Sequence, residues 1–468
     1  ALPLSIIYQQ SLPQGVFPNC WKTAIVVPIY KGKGAETHPS NYRPISLCST
    51  LGKTLERIVK DQLMSIISTS SKLSSMQHGF TQNRSTLTNL IIAEHDIADA
   101  INEHEPMDII AFDFSRAFDR VPHHLLLHEL ARHNISGSAL NWISSFLRDR
   151  TQSVRAGAMS PPLPVSSGVV QGSALGPALW IIFMDSLLVT LDIMASAFAD
   201  DLKFIAILKK YNVHSIQLNI NRVYDWSINM SVPLSECKLI VMHYGNNNPC
   251  HVYHCGPTVV EVSKNFVNLG VLRSSNGQFH EHITNTVKKG RRLCGMIRKL
   301  TTCRDKAFML RVYKAYVLPA IMYASPIWAP SLRYENEVLE SIQRRFTKFF
   351  AGEQNHSYGQ RLNNLGLLSL ESARIKSDLI LTYKILHNMI GISSAEAGLF
   401  LCNNNTRAKG LRLQQPLASS NVSASLFKFR VPHLWNNLPV NIVTCNRLPQ
   451  FRLELDKWLL SADLAFYD

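Results

Sequence analysis

Charge is scarce in this chain. Only 17% of its 468 residues are Asp, Glu, Lys or Arg, too few for a disordered, solvated polymer. Acids are scarcer than bases: 33 Asp and Glu against 48 Lys and Arg leave a formal net charge of +15. That balance points to a polyanionic partner, nucleic acid or an anionic membrane face. No apolar run is clean enough to span a bilayer. The longest, 178–198, carries Asp185 and Asp192, and reads as a buried helix followed by a strand. The nine cysteines are scattered and odd in number with no secretory leader before them, which reads as reduced thiols in an intracellular compartment. Fixed-period repeats and low-complexity linkers are absent, which excludes solenoid and fibrous classes. The chain opens on Ala1 without Met and is expected to be a fragment of a longer one. Its 46% hydrophobic content suffices for two or three domains around a large core.

Two acids stand together between two apolar runs. Ile193-Met194-Ala195-Ser196-Ala197-Phe198 leads into Ala199-Asp200-Asp201, and Leu202-Lys203-Phe204-Ile205-Ala206-Ile207-Leu208 follows at once. This reads as strand, tight turn, strand, with paired carboxylates at the tip offering hard oxygen ligands for Mg²⁺. Alone, an Asp-Asp turn is as readily a solvated turn. A second short strand, Met107 to Asp113, also ends in an acid, and Ser115-Arg116-Ala117-Phe118-Asp119 after it looks like a turn into a helix. Two strands can therefore deliver Asp113 to Asp200 and Asp201, the carboxylate clamp that two-ion phosphoryl transfer needs. Between them, Gly168-Val169-Val170-Gln171-Gly172-Ser173-Ala174-Leu175-Gly176-Pro177 reads as a glycine-bounded turn opening a helix, a seat for a nucleotide and template base.

In this order the three pieces resemble the palm of a reverse transcriptase. Phe198-Ala199-Asp200-Asp201 matches the family's Tyr/Phe-Ala-Asp-Asp box. The segment from Phe112 to His123 is similar to that of jockey-like non-LTR (LINE-type) retrotransposons. The chain departs from the pattern at Val170, where Pro is usual before Gln171-Gly172. The resemblance implies an α+β, right-hand polymerase fold. Fingers would occupy 1–105, a palm of antiparallel sheet backed by helices 106–275, a helical thumb 276–350, and a mostly helical extension 351–468. It implies an RNA-directed DNA polymerase that extends a primer 3′-OH with deoxynucleotides, serves retrotransposition and acts in the nucleus. Its partners would be an RNA template, a DNA primer and deoxynucleoside triphosphates, with no membrane. Asp113, Asp200 and Asp201, with the carbonyl of Phe114, would hold two Mg²⁺ ions, or Mn²⁺ in their place. No endonuclease constellation is visible, so such a domain would lie upstream of Ala1 or be missing. The competing reading is a catalytically inactive or domesticated relic that only binds nucleic acid.

Other residues fall into place around this core. Trp21 to Tyr30 reads as a strand, Lys31-Gly32-Lys33-Gly34 as a basic tip, and Asn41 to Leu47 as the returning strand. Lys31, Lys33 and Arg43 are candidates to cover a triphosphate, Arg by its fork of donors; the lysines also fit a solvated turn. Gln171 and Gly172 would line the nucleotide pocket. Phe118 is either a barrier to a ribose 2′-OH or a core aromatic. Arg84 is either template-side or a locally bonded helix-entry residue. Lys238, on a strand expected from Cys237 to Met242, is either a proton donor to pyrophosphate or a solvated lysine. Val267 to Leu272 resembles the strand that grips the primer end. Cys250-His251-Val252-Tyr253-His254-Cys255 raises Zn²⁺, but structural zinc sites use spaced pairs from two segments, so no metal is assigned there.

From His280 the chain turns helical. Ile283, Val287, Cys294 and Ile297 form an apolar stripe. Lys288, Lys289, Arg291 and Arg292, with Arg344 and Arg345 on a later helix, form a basic surface suited to a duplex backbone or to plain solvation. In the tail, Leu426 to Arg430 reads as strand-like and Phe451 to Leu460 as a helix.

Overall fold

The computed structural model describes residues 2–32, 34–70, 73–235, 238–402 and 411–467. Lys33 and Cys237, named above, lie outside them.

The central element is the strand Met107–Asp113. It pairs antiparallel with Asp201–Ile207 on one side and Ile240–Tyr244 on the other. Ala195–Phe198 continues the sheet antiparallel to Asp201–Ile207, and Glu261–Val262 closes the far edge in parallel with Ile240 and Val241. Period-two alternation divides this strand between two cores. Met107 and Ile109 face a cluster built with helix Thr86–Asn102, while Ile110 and Phe112 face a cluster built with helices Gly176–Leu188 and Val213–Asn229. Covered on both faces, the strand reads as a continuous apolar run, as buried strands do. The expected palm of largely antiparallel sheet backed by helices is therefore present.

A second sheet is ordered Tyr42–Leu47, Thr23–Tyr30, Arg150–Ala156. Thr23–Tyr30 pairs antiparallel with the first and parallel with the last, and Leu163–Val165 adds to Arg150–Ala156. Residues 150–165, within the stretch expected as palm, thus share a sheet with Thr23–Tyr30 and Tyr42–Leu47, within the stretch expected as fingers. A parallel pairing needs a long crossover, which no local pattern announces.

Three local expectations also change. The strand expected from Cys237 begins at Ile240, leaving Lys238 in the turn before it. Val267 to Leu272 is two strands, Asn265–Asn268 and Val271–Ser274, joined by a turn in which Leu269 and Gly270 have φ of 45° and 86°. The strand-like Leu426 to Arg430 belongs to helix Phe427–Asn436. Five residues cannot separate period two from period 3.6, but Phe427, Val431, Trp435 and Leu438 are all buried at helical spacing.

The tail is no appendage. Helix His280–Leu300 buries Ile283, Val287, Cys294 and Ile297, the stripe read from the sequence. Those residues share one continuous core with Leu379, Tyr383, Trp435, Phe451 and Leu455, across the boundary expected at 350. Among the described residues, no helix is long and apolar enough to cross a membrane.

Candidate active site

The two-strand register decides the site. Asp113 is the last residue of its strand and stands directly opposite Asp201, the first of the next. Asp201 also pairs with Phe198, so the intervening turn is Ala199-Asp200. A two-residue hairpin turn therefore brings Asp200 beside the other two acids.

Their electrostatics are those of crowded like charges. Burial pushes the Asp200 carboxyl up to about 6, and the Asp201 and Asp113 carboxylates push in the same direction. Asp201 opens onto the cleft, yet withdrawal from water on its other sides, and then Asp113, raise it too. Lys238 answers part of this charge: its ammonium donates to Asp113 Oδ2 at 2.7 Å. As the side chains stand, no group of three His, Cys, Asp or Glu among the described residues could hold a metal ion. The donor chemistry nonetheless fits a divalent cation. Three oxygen-bearing acids repel one another at the mouth of a cleft, and one of them already leans on a cation.

That cleft measures about 1000 Å³. Lys31, Arg43, Phe118, Gln171, Gly172 and Lys238 all line it, together with Phe114 and the three acids. Phe114 has its side chain buried between Trp180 and Trp226, so only its backbone is available to the cleft. Phe118 is half-buried, stacks on Trp180 with centroids 5.4 Å apart, and meets Phe80 edge-on at 6.2 Å. It is thus both a packed aromatic and a wall of the cleft. Lys31 Nζ donates to the Ser40 carbonyl at 2.8 Å, while Arg43 lies exposed on the strand beside it.

The loop at Gln171 is fastened at both ends. Ser46 N–H donates to the Gln171 carbonyl at 2.8 Å, tying it to the fingers sheet. Gly172 has φ of 116°, and a Cβ there would lie 2.4 Å from the Ser46 carbonyl oxygen, so only glycine fits. Beyond it, the buried Glu56 carboxylate accepts from the N–H groups of Ala174 and Leu175 at 2.6 and 3.1 Å. It satisfies donors at the mouth of helix Gly176–Leu188, which begins with Pro177 in its first turn. Val170, the departure from the family pattern, leaves this loop intact.

Arg84 is placed elsewhere. Its guanidinium donates to the carbonyls of Ser75, Gln77 and Gly391, and so joins the chain before helix Thr86–Asn102 to a loop of the extension. Two of these acceptors are near in the chain and the third is remote, so Arg84 is fastened to backbone on both sides. Lys288, Lys289, Arg291 and Arg292 are exposed on helix His280–Leu300, and Arg344 and Arg345 are exposed on helix Arg333–Thr347.

A match over residues 29–272 to the family model described as reverse transcriptase (RNA-dependent DNA polymerase) covers more than half of the chain. The chain belongs to the reverse transcriptase family. Among curated relatives, the RNA-directed DNA polymerase from mobile element jockey of Drosophila melanogaster is 24% identical over 75% of this chain. The probable RNA-directed DNA polymerase from transposon BS of the same organism is 34% identical over 39%. The chain spans 40% of the length of the first and 20% of the second. Among solved structures, apo telomerase from Candida tropicalis aligns with 98% of this chain and 73% of its own, at 13% identity and a TM-score of 0.43.

Sequence reading missed a polar layer beneath the acids. Lys203 is 5% exposed, and its ammonium donates to Asn89 Oδ1 at 2.6 Å and Asn268 Oδ1 at 2.9 Å. Burial pushes its pKa down to about 7, against the pull of Asp201 and Glu94. One lysine thus links the acid hairpin, helix Thr86–Asn102 and the hairpin at Leu269. The signal was available, since a lone lysine inside an apolar strand is costly unless it has buried partners.

Proposed function

We propose that this chain is the polymerase portion of a non-LTR retrotransposon protein, copying RNA into DNA from a primer 3′-OH. The observation that carries the reading is the strand register that sets Asp113 against Asp201, with Asp200 on the turn, over the large cleft. Asp113, Asp200, Asp201 and the Phe114 carbonyl would hold two Mg²⁺ ions, with Mn²⁺ an alternative. When bound, such ions lower the pKa of the primer hydroxyl and neutralise the departing pyrophosphate. The chain's own residues do the rest. Arg43 and Lys31 stand where a triphosphate would enter and supply its counter-charge. Gln171 and Gly172 form a rigid floor for the nucleotide. Lys238 Nζ, hydrogen-bonded to Asp113, is placed to hand a proton to the leaving phosphate. The basic face on helix His280–Leu300 receives the duplex. Family membership supports nucleic-acid templates and divalent ions in general; deoxynucleotides, the primer and action in the nucleus are part of this proposal.

Primer extension on poly(rA)/oligo(dT) with Mg²⁺, comparing the chain with Asp200→Ala, is the test. Extension by the first and none by the second supports the reading. If neither extends and both bind duplex equally, the protein is a nucleic-acid binder without polymerase activity.

Two further outcomes are expected. Phe118→Ala opens the wall of the cleft and should raise ribonucleotide incorporation about tenfold to a hundredfold relative to deoxynucleotide. Unchanged discrimination makes Phe118 a packing residue only. Replacing Lys288, Lys289, Arg291 and Arg292 together by Ala should reduce the slope of log affinity against log salt by about 3 to 4. An unchanged slope, measured by anisotropy on a labelled primer–template, removes this face from the binding surface.

A further inference from the structure

Ala199 is the first residue of the two-residue turn that carries Asp200, and its φ is 57°. A residue with a Cβ is strained there, and hairpin turns of this kind favour glycine. Something must hold Ala199 in that conformation, and Gln77 is placed to do so. Gln77 is 2% exposed. Its Oε1 accepts from the Ala199 N–H at 2.9 Å, and its Nε2 donates to the Ala199 carbonyl at 3.2 Å. The same Oε1 accepts from the Gly79 N–H at 2.8 Å, which fixes the carboxamide in turn. On either side of Gln77, Ala197 N–H donates to the Met76 carbonyl and His78 N–H donates to the Ala197 carbonyl, both at 2.9 Å. The approach is as close as atoms allow: a Cβ on Gly79 would lie 2.3 Å from the Ala199 nitrogen.

Building on the polymerase reading, we propose that Gln77 is a positioning residue whose carboxamide brackets both backbone groups of Ala199, holds the left-handed turn, and so aims Asp200 at the ion site. It touches neither substrate nor ion. Without it, a buried N–H and a buried carbonyl lose their partners while the strained φ loses its restraint. The turn then relaxes and the carboxylate leaves its position.

The experiment compares Gln77→Leu and Gln77→Glu, each in the native chain and in an Ala199→Gly background. Glycine holds positive φ without strain, so it should make the bracket dispensable. Mn²⁺ affinity by electron paramagnetic resonance, kcat and KM for deoxynucleotide, and thermal melting are read for each. Gln77→Leu should weaken Mn²⁺ binding and lower kcat about tenfold at unchanged KM, and the loss should shrink to about twofold beside Ala199→Gly. Gln77→Glu keeps the acceptor and exchanges the amide donor for a carboxyl oxygen, which can donate to the Ala199 carbonyl only when protonated, so its loss should deepen as pH rises and likewise shrink beside Ala199→Gly. The proposal is overturned if the losses are equal in the two backgrounds, or if Mn²⁺ affinity stays unchanged while only the melting temperature falls. Should Gln77→Leu not fold, the same comparison with Gln77→Glu decides. Extension by the unsubstituted chain is a separate reading: its failure removes the polymerase assignment, while the Mn²⁺ affinities still test the bracket.

Discussion

Asp200→Asn is expected to abolish primer extension, by at least about 10³-fold, because it removes a carboxylate from the ion clamp while keeping its shape. The same substitution should make the ion-free protein more stable. Burial and the neighbouring Asp201 and Asp113 raise this carboxyl from its ordinary 3.8 to about 6. A carboxyl whose folded pKa lies above its unfolded value binds protons more tightly when folded, so its contribution to stability falls as pH rises from about 4 to about 6. Above that window the folded chain carries a strained charge, and the neutral amide relieves it. A gain of about 1–2 kcal/mol at pH 7, vanishing near pH 4, follows after allowance for partial exposure. Urea unfolding of both proteins in EDTA at the two pH values measures it. Mg²⁺ should raise the stability of the native chain more than that of the variant, since only the native clamp gains an ion on folding. At limiting Mg²⁺, extension by the native chain should fall as pH drops, since protons compete with the ion for Asp200, and added Mg²⁺ should move that fall to lower pH. If Asp200→Asn is less stable than the native chain at pH 7, the crowded-charge account of the site fails.

The second large effect lies far from the chemistry. Arg430 donates from Nε and Nη2 to the two oxygens of Asp378 at 2.9 Å each, from Nη1 to the Ser425 carbonyl at 2.6 Å, and from Nη2 to the Pro326 carbonyl at 2.7 Å. One guanidinium so joins the thumb segment, helix Leu370–Leu386 and the tail helix. Asp378 is 3% exposed; burial raises its carboxyl and Arg430 holds it back. Arg430→Met strands that carboxylate and should cost about 3–5 kcal/mol. Without the guanidinium the Asp378 pKa climbs further. The deficit should therefore be larger at pH 7 than at pH 5, where protonation relieves the uncompensated charge. Adding Asp378→Leu should return much of the lost stability. Chemical denaturation of the two single variants and the double variant checks this, and simple additivity of the losses would mean that the two side chains do not act as a pair. A loss of stability shared by the thumb and the tail would also establish them as one cooperative unit.

The sequence carried the site further than the fold around it. Asp113 and Asp200-Asp201 each end or begin a short apolar run, and although an Asp-Asp turn alone is as readily a solvated one, the second acid-ended strand and the glycine-bounded loop between them narrowed the reading. Gln171 and Gly172 were legible because they sit at a glycine-bounded turn, whereas Arg43, on a strand, and Phe118, in a short helix, were candidates through side-chain type and family resemblance. Errors fell where a decision depended on partners remote in the chain. The carbonyl acceptors of Arg84, one of them at Gly391, have no signature near it in the chain. Leu426 to Arg430 was too short to show its period, and only burial against Leu379 and Tyr383 made it a helix. Strand Arg150–Ala156 joined the sheet of Thr23–Tyr30 through a parallel pairing that has no local signature.

By itself the sequence determined which acids could meet at strand ends and which glycine a tight turn would require. Local pattern suffices there, since strand period, turn preference and side-chain type are properties of neighbouring residues. Only the tertiary structure decided which buried polar groups support those acids, Gln77 under the turn and Lys203 beneath the sheet, and that the tail shares the thumb's core. Those assignments depend on burial and on hydrogen-bond partners brought together across long stretches of chain, and no window of neighbouring residues contains them.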